Sequence, residues 1–147
     1  MCIRDRKPPH GYETAFQTLS PAILEQASVL YVWVDPVESR RKNIERGRPD
    51  GQGSILHHSV PMEVMLGQYG CDDMAWLLEQ SDRPGTIRVD RIIPTADRYE
   101  ARAYHLPVAR FDNRKDLTTF VREDRKLWNP ADVDAIHSGL KAAFDQL

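Results

Sequence analysis

The chain has 147 residues, 41% of them apolar and 29% charged, with a net charge of −2. That size and balance suit one globular domain able to enclose its own core. They exclude a broad attraction for nucleic acid or anionic membrane, so any anion site must be local. No apolar run reaches the ~18 residues that a membrane helix needs.

The only cysteines are Cys2 and Cys71. Two cysteines argue against a disulfide framework and predict a reducing, cytoplasmic setting. No apolar stretch precedes Val29, so no secretion signal is read. The opening MCIRDR resembles translated sequencing-adapter DNA. Residues 1–6 are therefore set apart as an artefact, and residues 7–147 are expected to form a single α/β domain, incomplete at its N-terminus.

Lys7–Gly11 (KPPHG) reads as loop, because its prolines and glycine interrupt regular structure. Tyr12, Phe16 and Leu19 follow at helical spacing. Ser20–Pro21 restarts a helix, with serine as cap and proline in the first turn. Ile23, Leu24 and Ala27 are its core candidates. Val29–Val34 is apolar without alternation, the pattern of a central parallel strand covered on both faces.

Asp35–Pro36 ends that strand, and a helix starts near Val37. Glu38–Lys42 and Arg41–Glu45 are i,i+4 pairs on it, and Val37 and Ile44 are its only apolar anchors. Gly47–Gly53 reads as loop. Pro61 opens a helix through Tyr69. Asp72 caps the next, in which Trp76, Leu77 and Leu78 are buried candidates. Thr86–Ile93 and Ala101–Arg110 are strands that can pair as a hairpin. Asp116 is expected to cap a helix using Leu117, Phe120, Val121 and Leu127. Asn129–Pro130 starts the last helix, whose stripe is Val133, Ile136, Leu140, Phe144 and Leu147.

The segment from Asp35 to Gly51 (DPVESRRKNIERGRPDG) holds Arg40, Arg41, Lys42, Arg46 and Arg48 directly behind an apolar strand. Phosphoryl transfer needs cations that neutralise charge spread over phosphate oxygens, and the planar fork of arginine suits them. A helix-to-loop junction also lets such cations close over a substrate. A solvated helix laced with i,i+4 pairs explains the same residues.

The strand VLYVWVDP, the helix ESRRKNIERGR and the Gly-rich loop resemble the C-terminal half of small P-loop kinases acting on nucleosides, nucleotides or shikimate-like acceptors. The segment Ser54–Val89 also looks like bacterial P-loop proteins of undefined substrate. The resemblance implies the C-terminal part of a three-layer, P-loop-type parallel sheet with flanking helices, lacking its first strands. It implies that Arg40, Arg41, Arg46 and Arg48 hold the transferring phosphoryl group. It places Asp112 and Asn113 beside the nucleotide and His57 and His58 beside a small-molecule acceptor. ATP and magnesium are the implied cofactors of the parent protein.

The phosphate cradle G-x-x-x-x-G-K-[ST] is absent from the chain. The parent is thus expected to be an ATP-dependent phosphotransferase, and the chain alone is expected to be inactive. The kinase-like reading requires Val29–Val34 to lie parallel to Leu106–Phe111 in one sheet. It also leaves an open edge beside Val29–Val34.

Two other readings stand beside it. The first is a non-catalytic α/β binding module whose arginines meet an acidic partner. The second is a metal-dependent hydrolase using His57, His58, Asp72 or Asp73, although no metal-ligand spacing supports it. Helix capping explains Asp72 as well, and a plain turn explains Asp112 and Asn113. Cys71 lacks the His and Asn pattern of a catalytic thiol.

Overall fold

A computed structural model describes residues 11–48, 58–68 and 72–147. The described elements run α1 (Tyr12–Thr18), α2 (Pro21–Leu24), β1 (Val29–Trp33), α3 (Pro36–Arg46), α4 (Met62–Gln68) and α5 (Met74–Gln80). Then come β2 (Thr86–Pro94), β3 (Tyr99–Asp112), two 3-10 turns (Thr119–Arg122 and Arg125–Leu127) and α6 (Pro130–Phe144).

Three helices start by one device. Ser20, Asp35 and Asn129 each accept a backbone N–H of the first turn, and each is followed by a proline at the first helical position. The cap satisfies a donor that the helix cannot, and proline lacks the donor that would otherwise be stranded. Helix α1 has no such cap, because Gly11 carries no side chain. Asp73 supplies it from a distant part of the chain. Its carboxylate accepts from Tyr12 N–H at 2.8 Å and Glu13 N–H at 3.0 Å, and Asp73 is buried. A Cβ at position 11 would lie 2.5 Å from Asp73 Oδ2, which explains the glycine.

The sheet has the order β1-β3-β2. Strand β1 pairs parallel to β3, with Val29 opposite Val108 and Trp33 opposite Asp112. Strand β2 pairs antiparallel to β3, from Thr86 opposite Pro107 to Pro94 opposite Tyr99. The fold is therefore mixed α/β around a small mixed sheet. The parallel alignment expected of the strands near residues 29 and 108 is present, as is the hairpin.

Helices cover both faces. On one, Ile87, Val89, Tyr104, Leu106 and Val108 pack with Leu24, Met74 and Leu77, joined by Tyr12, Phe16 and Trp76. On the other, Ala109 and Phe111 pack against Ala143, Ile136 and Leu140 of α6. Gly139 allows that approach, since a Cβ there would meet Phe111 Cε2 at 2.5 Å.

Several expectations need correction. Strand β1 is an edge strand among the described residues, not a central one. Its Leu30 and Val32 are 41% and 47% exposed, because α6 reaches over β3 and leaves the adjacent face of β1 uncovered. Val37 and Ile44 do not anchor α3, for they lie exposed on its outer side. Ile23, Phe144 and Leu147 are likewise exposed, and the inner stripe of α6 runs through Ile136, Leu140 and Ala143. No single helix spans Leu117 to Leu127. Asp116 takes a left-handed backbone conformation and its carboxylate accepts from both the N–H and the hydroxyl of Thr119, giving short turns. Phe120 and Trp128 close these turns edge-to-face.

Replacing Asp73 with alanine strands two N–H groups at the start of α1. A loss of about 2 kcal/mol in unfolding free energy is expected from urea denaturation. Asp73→Asn, which keeps one acceptor oxygen, is expected to lose less.

Candidate functional site

Strands β1 and β3 run parallel, so their carboxyl ends emerge side by side. The Asn113 N–H donates to the Trp33 carbonyl at 2.8 Å and locks the two exits together. A cleft of about 480 Å³ opens there, lined by Asp35, Asp112, Arg114, Lys115 and Leu117. Helix α3 begins at its wall, where Asp35 Oδ1 accepts the Glu38 N–H at 2.8 Å. Open α/β sheets place ligands outside the carboxyl ends of their strands.

The cleft carries both signs of charge. Asp112 accepts from the guanidinium and the backbone N–H of Arg114, at 2.7 Å for the shortest contact. The Arg114 hydrogen bonds pull its carboxyl down to about 2. Arg114 also lies over the Trp33 ring at 4.0 Å, and Arg110 lies over it at 4.8 Å. Cation–π contact of this kind orients a guanidinium without neutralising it.

The structure divides the four arginines proposed for phosphate. Arg41 is bound by Glu38, Glu45 and Asp116, the last at 2.6 Å. Its positive charge is thus countered within the chain. Hydrogen bonding to Arg41 lowers the Glu38 carboxyl in turn. Lys42 joins the same cluster through Asp116 at 2.8 Å and the Thr118 hydroxyl at 3.2 Å. Its expected pairing with Glu38 is looser, at 3.8 Å. Arg40 is half-buried and Arg46 and Arg48 are exposed. None of these three forms an ion pair among the described residues.

Asp116 is the centre of this cluster. Partial burial acts to raise its carboxyl, but hydrogen bonds from Lys42 and Thr119, the Lys42 charge and the Arg41 contact outweigh it. The result lies well below the usual aspartate range.

A second polar contact positions α3. The Asn43 side chain is buried, and its amide donates to the Val60 carbonyl and accepts the Val60 N–H, both at 2.8 Å. The chain at Val60 is thereby clamped to α3.

The remaining candidates fall as follows. His57 lies outside the described residues, and His58 is exposed near the Asn43 clamp. Asn113 is buried with both ends of its amide engaged, donating to Thr118 Oγ1 and accepting the Leu117 N–H. Asp72 accepts from the Tyr31 hydroxyl at 2.5 Å and from the Met74 N–H at 3.1 Å. Asp72 and Asp73 thus both serve hydrogen bonds of the fold. Among the described residues, no three His, Cys, Asp or Glu side chains are grouped to hold a metal. None of the described helices is long and apolar enough to cross a membrane.

Sequence reasoning missed the Asp116 cluster, the Asn43 clamp and the Trp33–Arg114 contact. Only Asp116 left a trace, as the expected cap of a helix. No family model matches the chain, and neither a curated protein nor a solved structure matches it.

The lowered Asp116 carboxyl has a definite sign. Its contribution to stability is complete above the ordinary aspartate range, ~4, and is lost as the pH falls through its own lower folded-state value. Asp116→Asn is expected to be less stable at neutral pH and to lose less stability on acidification. Urea midpoints measured from pH 7 to pH 2, ranges well above and below ~4, check both.

Proposed function

We propose that the chain is the arginine-bearing part of a P-loop NTPase-like phosphotransferase, whose nucleotide and small-molecule acceptor meet at the carboxyl ends of β1 and β3. One observation carries this reading. Parallel β1 and β3 end together on a cleft beside the start of α3, the helix that bears Arg40 and Arg46 and leads to Arg48.

Arg40, Arg46 and Arg48 are the cations that take phosphate oxygens in this reading. Arg41 is a positioning residue, since its guanidinium is held by three carboxylates and fixes α3 to Asp116. The base-side contact falls to Asp112, because the Asn113 amide is engaged internally. Magnesium would come with the nucleotide phosphates, and Asp35 is the cleft's other carboxylate beside them. The glycine-rich cradle with its lysine would come from residues outside these 147, so the chain alone binds weakly and transfers nothing.

The second reading, a binding module without catalysis, is favoured by the Asp116 cluster, which uses Arg41 and Lys42 for structure. The two readings differ in what the remaining arginines prefer.

Titration with inorganic pyrophosphate and with magnesium–ATP, followed by backbone amide NMR, is expected to shift the segment from Arg40 through Arg48 and the Asp112–Lys115 turn. Replacing Arg40, Arg46 and Arg48 together with alanine is expected to weaken binding at least ~10-fold. Arg41→Ala is expected to lower stability while changing affinity far less. Equal binding by the triple variant, or no binding by the native chain, would overturn the phosphate reading.

A further inference from the structure

Strand β2 is an edge strand among the described residues, since the sheet order is β1-β3-β2. Its antiparallel ladder with β3 runs unbroken from the Thr86–Pro107 pair to the Pro94–Tyr99 pair. Just outside it, Val108 N–H donates to the Gly85 carbonyl at 2.9 Å and Thr95 N–H donates to the Arg98 carbonyl at 2.8 Å. Antiparallel pairs alternate between bonded and non-bonded. Both flanking bonds fall in the same register, so Ile87, Val89, Arg91 and Ile93 turn their peptide groups to β3. The N–H and C=O groups of Arg88 and Asp90 therefore point outward along the free edge.

A cavity of about 330 Å³ lies against that edge, bordered by Ile87, Arg88, Val89 and Asp90 in turn. Their side chains alternate between the two faces, Ile87 and Val89 buried, Arg88 and Asp90 exposed. Only the edge itself is common to all four. Helix α1 contributes Phe16 to the cavity, and α5 contributes Trp76 and Leu77. Phe16 and Trp76 also pack on the main core, which fixes where their rings lie. Gln17 and Gln80 are exposed on the rim.

The chemistry of the cavity selects its ligand. In an extended strand, the carbonyl of one residue and the N–H of the residue two further on emerge side by side on the same edge. The Arg88 carbonyl and the Asp90 N–H thus present an acceptor next to a donor. Among the described residues, neither group has a hydrogen-bond partner. Aromatic and apolar walls suit a flat ring. Phosphate is not catered for: Arg88, the basic residue of the described lining, bonds Asp90 at 3.0 Å and lies 3.6 Å from Asp82. A flat, uncharged ring with a donor beside an acceptor meets all three conditions, and the edge of a nucleobase is such a ring.

We infer that the cavity at the free edge of β2 binds a planar nitrogen heterocycle of the nucleobase type, read by the Arg88 carbonyl and the Asp90 N–H and packed against Phe16 and Trp76. The inference is independent of the phosphate reading, because this edge and β1 lie on opposite sides of β3.

Backbone amide NMR of the full chain, titrated with adenine and with hypoxanthine, tests it. At least one base is expected to give a saturable shift at Val89 and Asp90 while the Asp112–Lys115 turn stays unmoved. Asp90→Pro deletes the outward N–H without removing a ladder bond, a change that edge strands tolerate. It is expected to weaken binding at least ~10-fold. Asp90→Ala keeps the N–H and is expected to bind as the native chain does. The same base with its donor hydrogens replaced by methyl groups is expected to bind at least ~10-fold more weakly. Circular dichroism checks folding, and if Asp90→Pro does not fold, the methylated base on the native chain decides. No saturable shift with either base overturns the proposal. So does a folded Asp90→Pro that binds as tightly as the native chain, a loss of binding in Asp90→Ala, or a methylated base that binds equally well.

Discussion

Strand β3 must satisfy backbone hydrogen bonds along both of its edges, and the rest of the molecule is arranged around that demand. Its 14 residues pair parallel to β1 at the carboxyl end and antiparallel to β2 over Tyr99–Pro107. Buried peptide groups left without partners are costly, so the two neighbours are obligatory. Alternate side chains of β3 then feed the two cores, Tyr104, Leu106 and Val108 to one side, Ala109 and Phe111 to the other. The switch between Val108 and Ala109, both buried, marks the level where helices cover both faces. Toward the hairpin tip that cover ends, and the strand pair continues as an arm.

Helix α3 obeys a different rule. Its apolar residues Val37 and Ile44 face outward, so no hydrophobic stripe holds it. Polar contacts do, through Asn43 to Val60 and through Arg41 and Lys42 to Asp116. Contacts of that kind set direction closely, but a half-exposed ion cluster contributes little net stability and weakens with salt. The helix that carries the candidate phosphate arginines is therefore oriented by charge pairs and one amide clamp, while the sheet below it is held by a packed apolar core.

Local signals were legible in the sequence. The pairs Ser20–Pro21 and Asn129–Pro130 each marked a helix start that the structure contains, and the helix expected near Val37 begins at Pro36 with Asp35 as its cap. The apolar run from Val29 and the one ending at Phe111 read as strands, and they pair in parallel. Contacts between distant residues were not legible. Nothing near Asp73 says that its carboxylate serves Tyr12 and Glu13, and nothing near Asn43 says that it binds Val60. Periodicity also misled where a residue's own backbone overrode it. The spacing of Leu117, Phe120 and Val121 suits a helix, yet the left-handed Asp116 and its bonds to Thr119 divert the chain into 3-10 turns. The site shares this limit. Its cations were visible as a run, but which of them are already countered depends on an acid 75 positions from Arg41.

The capping of α1 by Asp73 has a consequence for the order of events during folding. A helix of seven residues is too short to persist alone in water. Its first-turn donors find their acceptor only 60 and 61 positions later, next to α5. Helix α1 is thus a late arrival despite its early place in the chain, since the loop between it and Asp73 must close before the helix is worth forming. On a ribosome the segment from Gly11 to Thr18 would emerge before Asp73 and wait, unstructured, until the start of α5 had followed it out.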